Sequence, residues 1–104
     1  MNRENIMGCP MDIATVAETV DVIDEAISKN KFTQHVVVNV AKLVNMQNDI
    51  VLGNSIRECD IINIDGMGIV LGARFLGYNI PERVAGIDLF LKLISMSAKN
   101  NYPI

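Results

Sequence analysis

The sequence is poor in the residues that mark several large classes of protein. Its 104 residues include no tryptophan, three prolines and two cysteines, while half are hydrophobic. So apolar a composition with so little proline excludes a disordered chain. Cys9 and Cys59 cannot form a disulfide framework, and neither lies in a metal-ligand spacing, so we expect reduced thiols. No uncharged apolar run reaches the roughly 18 residues of a membrane-spanning helix.

Positive charge is also scarce. The formal net charge is −3 and no basic patch stands out, which argues against a nucleic-acid-binding protein. The sequence has no P-loop, no G-x-G-x-x-G and no acidic D-x-D motif, so spacing indicates neither a cofactor nor a metal. The single histidine, His35, has no partners for metal binding and is expected at a strand end.

Strand and helix patterns alternate along the chain. We predict a hairpin near residues 4–11 with a turn at Gly8-Cys9-Pro10, strands at 35–40 and 60–64, and helices at 16–29, 40–46, 49–58, 67–76 and 87–99. A capping box of Thr15 and Glu18 predicts the start of the first helix, and Gly77 the end of the fourth. Val40, Leu43 and Val44 should face inward from the second helix, and Ile87, Phe90, Leu91 and Ile94 from the last. This order predicts an α/β fold, a Rossmann-like parallel sheet flanked by helices with a short N-terminal hairpin. Because the predicted sheet is small, one of its edges is left open. We therefore expect an incomplete domain that is only marginally stable alone or that self-associates.

The stretch from Ile61 to Phe90 is the best candidate for a functional site. A β-branched strand ends at Asp65, and Gly66 and Gly68 lead into an apolar helix. Ligands of open α/β sheets bind at this position, outside the carboxyl ends of the strands and near helix amides. Asp65 could be a general base, or it could be a turn residue that caps the helix. The residues alone favour the turn.

Three further polar positions lie near this site in the predicted fold. Arg83 could bind a diphosphate, or could form a surface ion pair with Glu82 or Asp88. Asp88 is better placed as a helix N-cap than as a catalyst, and Gly86 is expected to serve backbone geometry. Asn39 ends the 35–40 strand at the same edge as Asp65, where its amide could bind a sugar hydroxyl or fix a loop.

Two ordered motifs in this stretch resemble the WecG/TagA/CpsF family of bacterial glycosyltransferases: DGMGIVLGARFLG, then IPERVAGIDLF. Weaker similarity extends upstream, so the resemblance covers most of the chain. It implies that Asp65 is the catalytic base and that the block around Arg83, Gly86 and Asp88 lines the pocket. Many members have Thr-Pro-Asn where this chain has Val37-Val38-Asn39, so the threonine hydroxyl has no counterpart here.

The resemblance also implies an activity and its partners. The implied activity is transfer of N-acetylmannosamine, or its uronic acid, from UDP in cell-envelope synthesis. The implied partners are the UDP-sugar donor and a polyprenyl-diphosphate-linked N-acetylglucosamine acceptor. The implied location is cytoplasmic, at the inner face of the membrane. Family members run to more than twice this length, so residues 1–104 are expected to be the amino-terminal portion of one domain, inactive alone. Membrane contact would belong to the carboxyl part.

Two other classes of function remain open. The chain could be a non-catalytic relative that acts as a binding or assembly module, which the valine at position 37 favours. It could also be a generic nucleotide-binding α/β domain in which Asp65 is only a turn residue. Substituting Asp65 in a completed protein distinguishes these hypotheses, because only the catalytic one requires the carboxylate.

Overall fold

The computed structural model describes residues 2–103 as a mixed α/β domain with a hairpin, a two-stranded parallel sheet and, within those residues, five helices. The strands are β1 (Asn2–Ile6), β2 (Cys9–Ile13), β3 (His35–Val38) and β4 (Ile61–Ile64). The helices are α1 (Val16–Ser28), α2 (Val40–Asn48), α3 (Ile50–Arg57), α4 (Met67–Phe75) and α5 (Gly86–Lys99). The predicted α/β class is confirmed, as is the antiparallel N-terminal hairpin. None of the helices within 2–103 is long and apolar enough to cross a membrane.

Helix α1 begins where the sequence predicts, at a capping box. The Thr15 hydroxyl accepts a hydrogen bond from the Glu18 N–H, and the Glu18 carboxylate accepts one from the Thr15 N–H, both at 3.1 Å. These two bonds satisfy amides that the first turn leaves free. The hairpin turn differs from the prediction: it falls at Met7 and Gly8, both at positive φ, whereas Cys9 and Pro10 already belong to β2.

All four residues of β4 are buried. Because alternate residues of a strand face opposite sides, its two faces bury different groups. Ile62 and Ile64 join the main apolar core with residues of the hairpin, α2, α3 and α4. Asn63 faces α1, where its amide donates to the Thr19 hydroxyl at 3.1 Å and its oxygen lies 2.6 Å from His35 Nε2. His35 is therefore a hydrogen-bonded strand-end residue.

The predicted buried face of α5 is wrong, and the predicted buried face of α2 is confirmed only for Leu43. On α5, Ile87 is 75% exposed and Phe90 61% exposed, while Leu89 is buried. Leu91 and Ile94 are exposed with them. The helix is apolar on two sides, and it packs on α1 with the side that includes Leu89 buried. On α2, Leu43 and Met46 face the core, while Val40 and Val44 are about half exposed.

Candidate active site at the carboxyl edge of the sheet

Asn39 and Asp65 come together at one edge of the sheet. β3 and β4 are parallel, with Val38 paired to Ile64, so each polar residue directly follows the last residue of its strand. The Asp65 N–H donates to the Val38 carbonyl at 2.9 Å and extends the ladder to the edge. The predicted juxtaposition of these two residues is therefore present.

The Asp65 side chain is half-buried and has no structural partner within residues 2–103. No hydrogen bond or salt bridge there engages its carboxylate, and the N-cap of α4 is Gly66, which has no side chain to cap the helix. Gly66 has φ +102° and ψ 134°, a conformation that side chains other than glycine's rarely adopt. The structure therefore removes the capping role that the sequence had left open for Asp65.

Three helices begin around this edge. α2 and α4 follow β3 and β4 directly, and α5 begins at Gly86, where an added Cβ would lie 3.7 Å from Val37 Cγ2. The first amides of a helix have no partner within it, so such ends favour anions. Asn39 uses its side-chain oxygen to cap α2, accepting from the Lys42 N–H at 2.8 Å. Two roles were considered for Asn39, and in this structure its side-chain oxygen fixes the backbone between β3 and α2.

The segment between α4 and α5 folds back onto the end of β4. The Val84 N–H donates to the Ile64 carbonyl at 2.6 Å, and the Arg74 guanidinium donates to the Ile80 carbonyl at 2.9 and 3.1 Å. These bonds hold the loop against the strand that Asp65 terminates. The loop residues 81–85 therefore reach the site although they lie more than fifteen residues downstream.

Arg83 is exposed on this loop, and the surface ion pair considered for it is not formed. Glu82 instead accepts a hydrogen bond from the Val16 N–H at 2.8 Å, at the start of α1. Within residues 2–103, Arg83 has neither a hydrogen bond nor a salt bridge. Its guanidinium is therefore available to an anionic ligand.

The remaining predicted positions have less specific environments. Asp88 is exposed in the first turn of α5, which has no side-chain cap, so the predicted N-cap is wrong. Gly86 does not have a positive φ, so no unusual backbone geometry requires glycine there. At Gly68, an added Cβ would lie 2.9 Å from Val40 Cγ2. This glycine therefore permits close contact between α4 and α2.

Sequence reasoning missed Lys42, whose ammonium group donates to the Val37 carbonyl at 2.9 Å. That bond places a positive charge beside the strand end occupied by Asn39. The only signal for it was its position three residues after Asn39, in the first turn of α2. Within the described part of the chain, no group of three or more His, Cys, Asp or Glu residues is arranged to hold a metal ion.

This sheet edge has free helix amides and an unpaired arginine, which are suited to binding a phosphorylated ligand. It also has a free carboxylate, which is suited to accepting a proton. Comparison with known families agrees with this chemistry. Residues 4–104 match the glycosyl transferase WecG/TagA/CpsF family, and because the match covers nearly the whole sequence, the chain belongs to that family. Such a family implies, in general, a sugar-nucleotide donor and a lipid-linked acceptor. A search of curated proteins found no significant match to this sequence.

Proposed function

We propose that Asp65 is the general base of an inverting glycosyl transfer. The acceptor hydroxyl oxygen attacks the anomeric carbon of the donor sugar, its proton passes to the Asp65 carboxylate, and the bond to the diphosphate breaks to release UDP. The observation that carries this proposal is the carboxylate itself, which lies at a sheet edge and has no structural partner among the described residues.

The leaving diphosphate requires positive charge, and the edge offers several sources. The free amides at the starts of α4 and α5 and the unpaired Arg83 would offset its negative charge as it departs. Gly66 and Gly68 leave the backbone at the start of α4 accessible to a sugar or phosphate. Asn39, Gly86 and Asp88 are proposed to line the same pocket.

Within this family we propose UDP-linked N-acetylmannosamine, or its uronic acid, as the donor. The proposed acceptor is a polyprenyl-diphosphate-linked N-acetylglucosamine, used in cell-envelope polymer synthesis at the cytoplasmic face of the membrane. No cofactor is included in the proposal. Charge compensation is assigned to protein groups.

We further propose that residues 1–104 act together with a carboxyl part of the same domain, which would also make the membrane contact. The support is the outer side of α5, where Ile87, Phe90, Leu91 and Ile94 are exposed together. An apolar face of this kind on a soluble unit marks a surface that other protein covers. The unit alone is expected to be inactive or to self-associate.

The test is release of UDP from UDP-N-acetylmannosamine with a short-chain lipid-diphosphate N-acetylglucosamine acceptor. It should be run on this chain and on the chain joined to the carboxyl half of a family relative. Asp65→Asn keeps the size of the side chain but cannot accept the proton, so turnover by the joined protein should fall at least a hundredfold, within the usual range for general-base catalysis of about 10²–10⁴. Asp21→Asn, an exposed change of equal charge on α1, is the matched control.

A second function has one observation in its favour. Val37 contributes a methyl group, not a hydroxyl, next to Gly86, as a non-catalytic binding module would tolerate. Turnover by neither form, with both proteins folded and the donor still bound, would favour that module. Full turnover by the Asp65→Asn variant would instead reject the catalytic assignment.

A further inference from the structure

An apolar groove runs between α2 and α4 and is bounded at one side by the hairpin turn. Its volume is about 350 Å³, at the lower end of the range of roughly 300–1,000 Å³ found for small-molecule sites. No charged side chain is among the residues of 2–103 that line it. Its walls include Met7, Val40, Val44, Gly68, Gly72 and Leu76.

One end of the groove lies close to the candidate active site, although Asn39, Asp65 and Gly66 are not among its lining residues. Val40 directly follows Asn39, and Gly68 lies three residues after Asp65, so both helices enter the groove from the sheet edge. From Gly68 to Leu76 the helix α4 advances about 12 Å, at 1.5 Å per residue. The groove thus runs along α2 and α4 away from the sheet edge, and its first lining residue on α4 is three residues after Asp65.

One glycine, Gly72, leaves space in the groove. A Cβ added at Gly72 would meet nothing within 4 Å, so the space beside this residue is unfilled. Glycine is less favourable than alanine inside a helix, and no left-handed φ requires it at Gly72. A ligand that occupies the space beside Gly72 would explain why glycine, and not a better helix former, is found there.

Apolar side chains at the groove are exposed to solvent. Met7, Val44 and Leu76 are all more than half exposed, and Leu71 and Phe75 extend the apolar surface along α4. The lining is mostly apolar, with Gln47 and Asn48 as polar members, so an uncharged and largely apolar occupant fits it best. The occupant must also be joined to a group that can reach Asp65.

We propose that this groove binds the first part of the isoprenoid chain of the lipid-linked acceptor. The inference rests on the proposed function, because a hydroxyl held at Asp65 fixes where the lipid on the same molecule must leave the site. The isoprenoid chain is uncharged and apolar, as is most of the groove lining. The groove also starts within a few residues of Asp65. Apolar contact would then favour long-chain acceptors over short ones carrying the same sugar diphosphate.

The test compares two ligands, N-acetylglucosamine joined through diphosphate to a farnesyl group or to a methyl group. Binding to the full chain is measured by calorimetry, and amide NMR shifts report the location. Farnesyl should tighten binding about tenfold or more, equivalent to at least about 1.4 kcal/mol. Gly66 should shift with both ligands, whereas Ala73 and Leu76 should shift only with the farnesyl compound.

Gly72→Leu fills the groove, and Gly72→Ala is the matched control, because both substitutions favour the helix but only leucine occupies the space. The farnesyl advantage should vanish in the leucine variant and persist in the alanine variant. Circular dichroism checks that each variant is folded. Retention of the full advantage by Gly72→Leu would place the lipid elsewhere and overturn the proposal.

Other outcomes separate this inference from the function on which it rests. Equal affinity for both ligands, with Gly66 shifting in each case, would reject the groove and leave the proposed function intact. No shift at Gly66 with either ligand would reject the proposed function as well. If sedimentation shows a dimer that Gly72→Leu dissociates, and farnesyl gives no gain, a second copy occupies the groove and the lipid proposal is rejected.

Discussion

The carboxylate of Asp12 accepts a hydrogen bond from the backbone N–H of Ile62 at 2.7 Å, across 50 residues of sequence. Ile62 lies in β4 with its N–H directed away from β3, so Asp12 satisfies an amide that would otherwise face the hairpin unpaired. Arg3 completes the arrangement with two bonds to the same carboxylate at 2.8 and 3.0 Å. A side chain therefore joins the hairpin to the parallel sheet.

Asp12→Asn should lower the free energy of unfolding by about 1–3 kcal/mol, because a buried, charge-assisted arrangement loses its charge. The hydrogen bond with Asp12 is also the main reason that the pKa of Arg3 is raised. Urea unfolding followed by circular dichroism measures the change. Asp21→Asn should stay within about 0.5 kcal/mol of the parent, as exposed substitutions usually do. Equal midpoints for the two variants would contradict the structural role of Asp12.

Asp65 and Asp49 provide a matched pair for the question of helix capping. Asp49 accepts a hydrogen bond from the Leu52 N–H at 3.0 Å and caps α3, so Asp49→Ala should cost about 1 kcal/mol. Asp65 caps nothing, so Asp65→Ala should change stability by less than about 0.5 kcal/mol. Thermal or urea unfolding compares the two. A loss at Asp65 as large as at Asp49 would return Asp65 to the class of structural turn residues.

Gly66 and Gly72 differ in backbone conformation although both have free space beside them. Gly66→Ala should destabilise by about 1–3 kcal/mol, since alanine is strained at φ +102°. Gly72→Ala lies inside a helix and should stabilise by up to about 1 kcal/mol. Opposite shifts of the unfolding midpoint are the expected result. Stabilisation by both substitutions would show that Gly66 does not hold this backbone conformation in solution.

The two cysteines should react at different rates with a thiol reagent. Cys9 is fully buried, and burial raises the pKa of its thiol above the ordinary value of 9.0, whereas Cys59 is half-buried. Thiolate is the reactive form, so Cys59 should be labelled first in the native protein and both should react alike in urea. Mass spectrometry of partly labelled protein identifies the site. Equal native rates would mean that the hairpin opens readily.

The same shift gives the direction of a pH effect. The unfolded thiol ionises near its ordinary pKa, while the folded thiol holds its proton to higher pH. Stability from Cys9 is therefore complete below the unfolded pKa and falls as pH rises from there through the raised folded pKa. A Cys9→Ala variant should lose this part of the alkaline decline.

Local sequence signals predicted most elements and their ends. The capping box at Thr15, the break at Gly66 and the left-handed Gly77, at φ +97°, each depend on neighbouring residues only. They placed α1 and α4 to within about a residue at their starts. The position of Asp65 after β4 followed from the same signals, because a β-branched run followed by Asp-Gly ends a strand locally.

The buried faces of α2 and α5 could not be obtained in this way. Helix α5 has one apolar side containing Leu89 and another containing Phe90, and periodicity alone gives no reason to prefer either. Packing against α1 selected the Leu89 side. The choice depends on which surfaces remain uncovered once the strands have paired.

The sequence by itself determined the order of strands and helices, the glycine that starts α4 and the carboxylate before it, because these follow from local conformational preference. Only the tertiary structure decided that Val84 bonds to Ile64, that Asp12 bonds to Ile62 and that Arg83 stays unpaired beside the site. Those contacts join residues far apart in the chain. The two hydrogen bonds form only once the hairpin and the loop after α4 have packed against β4.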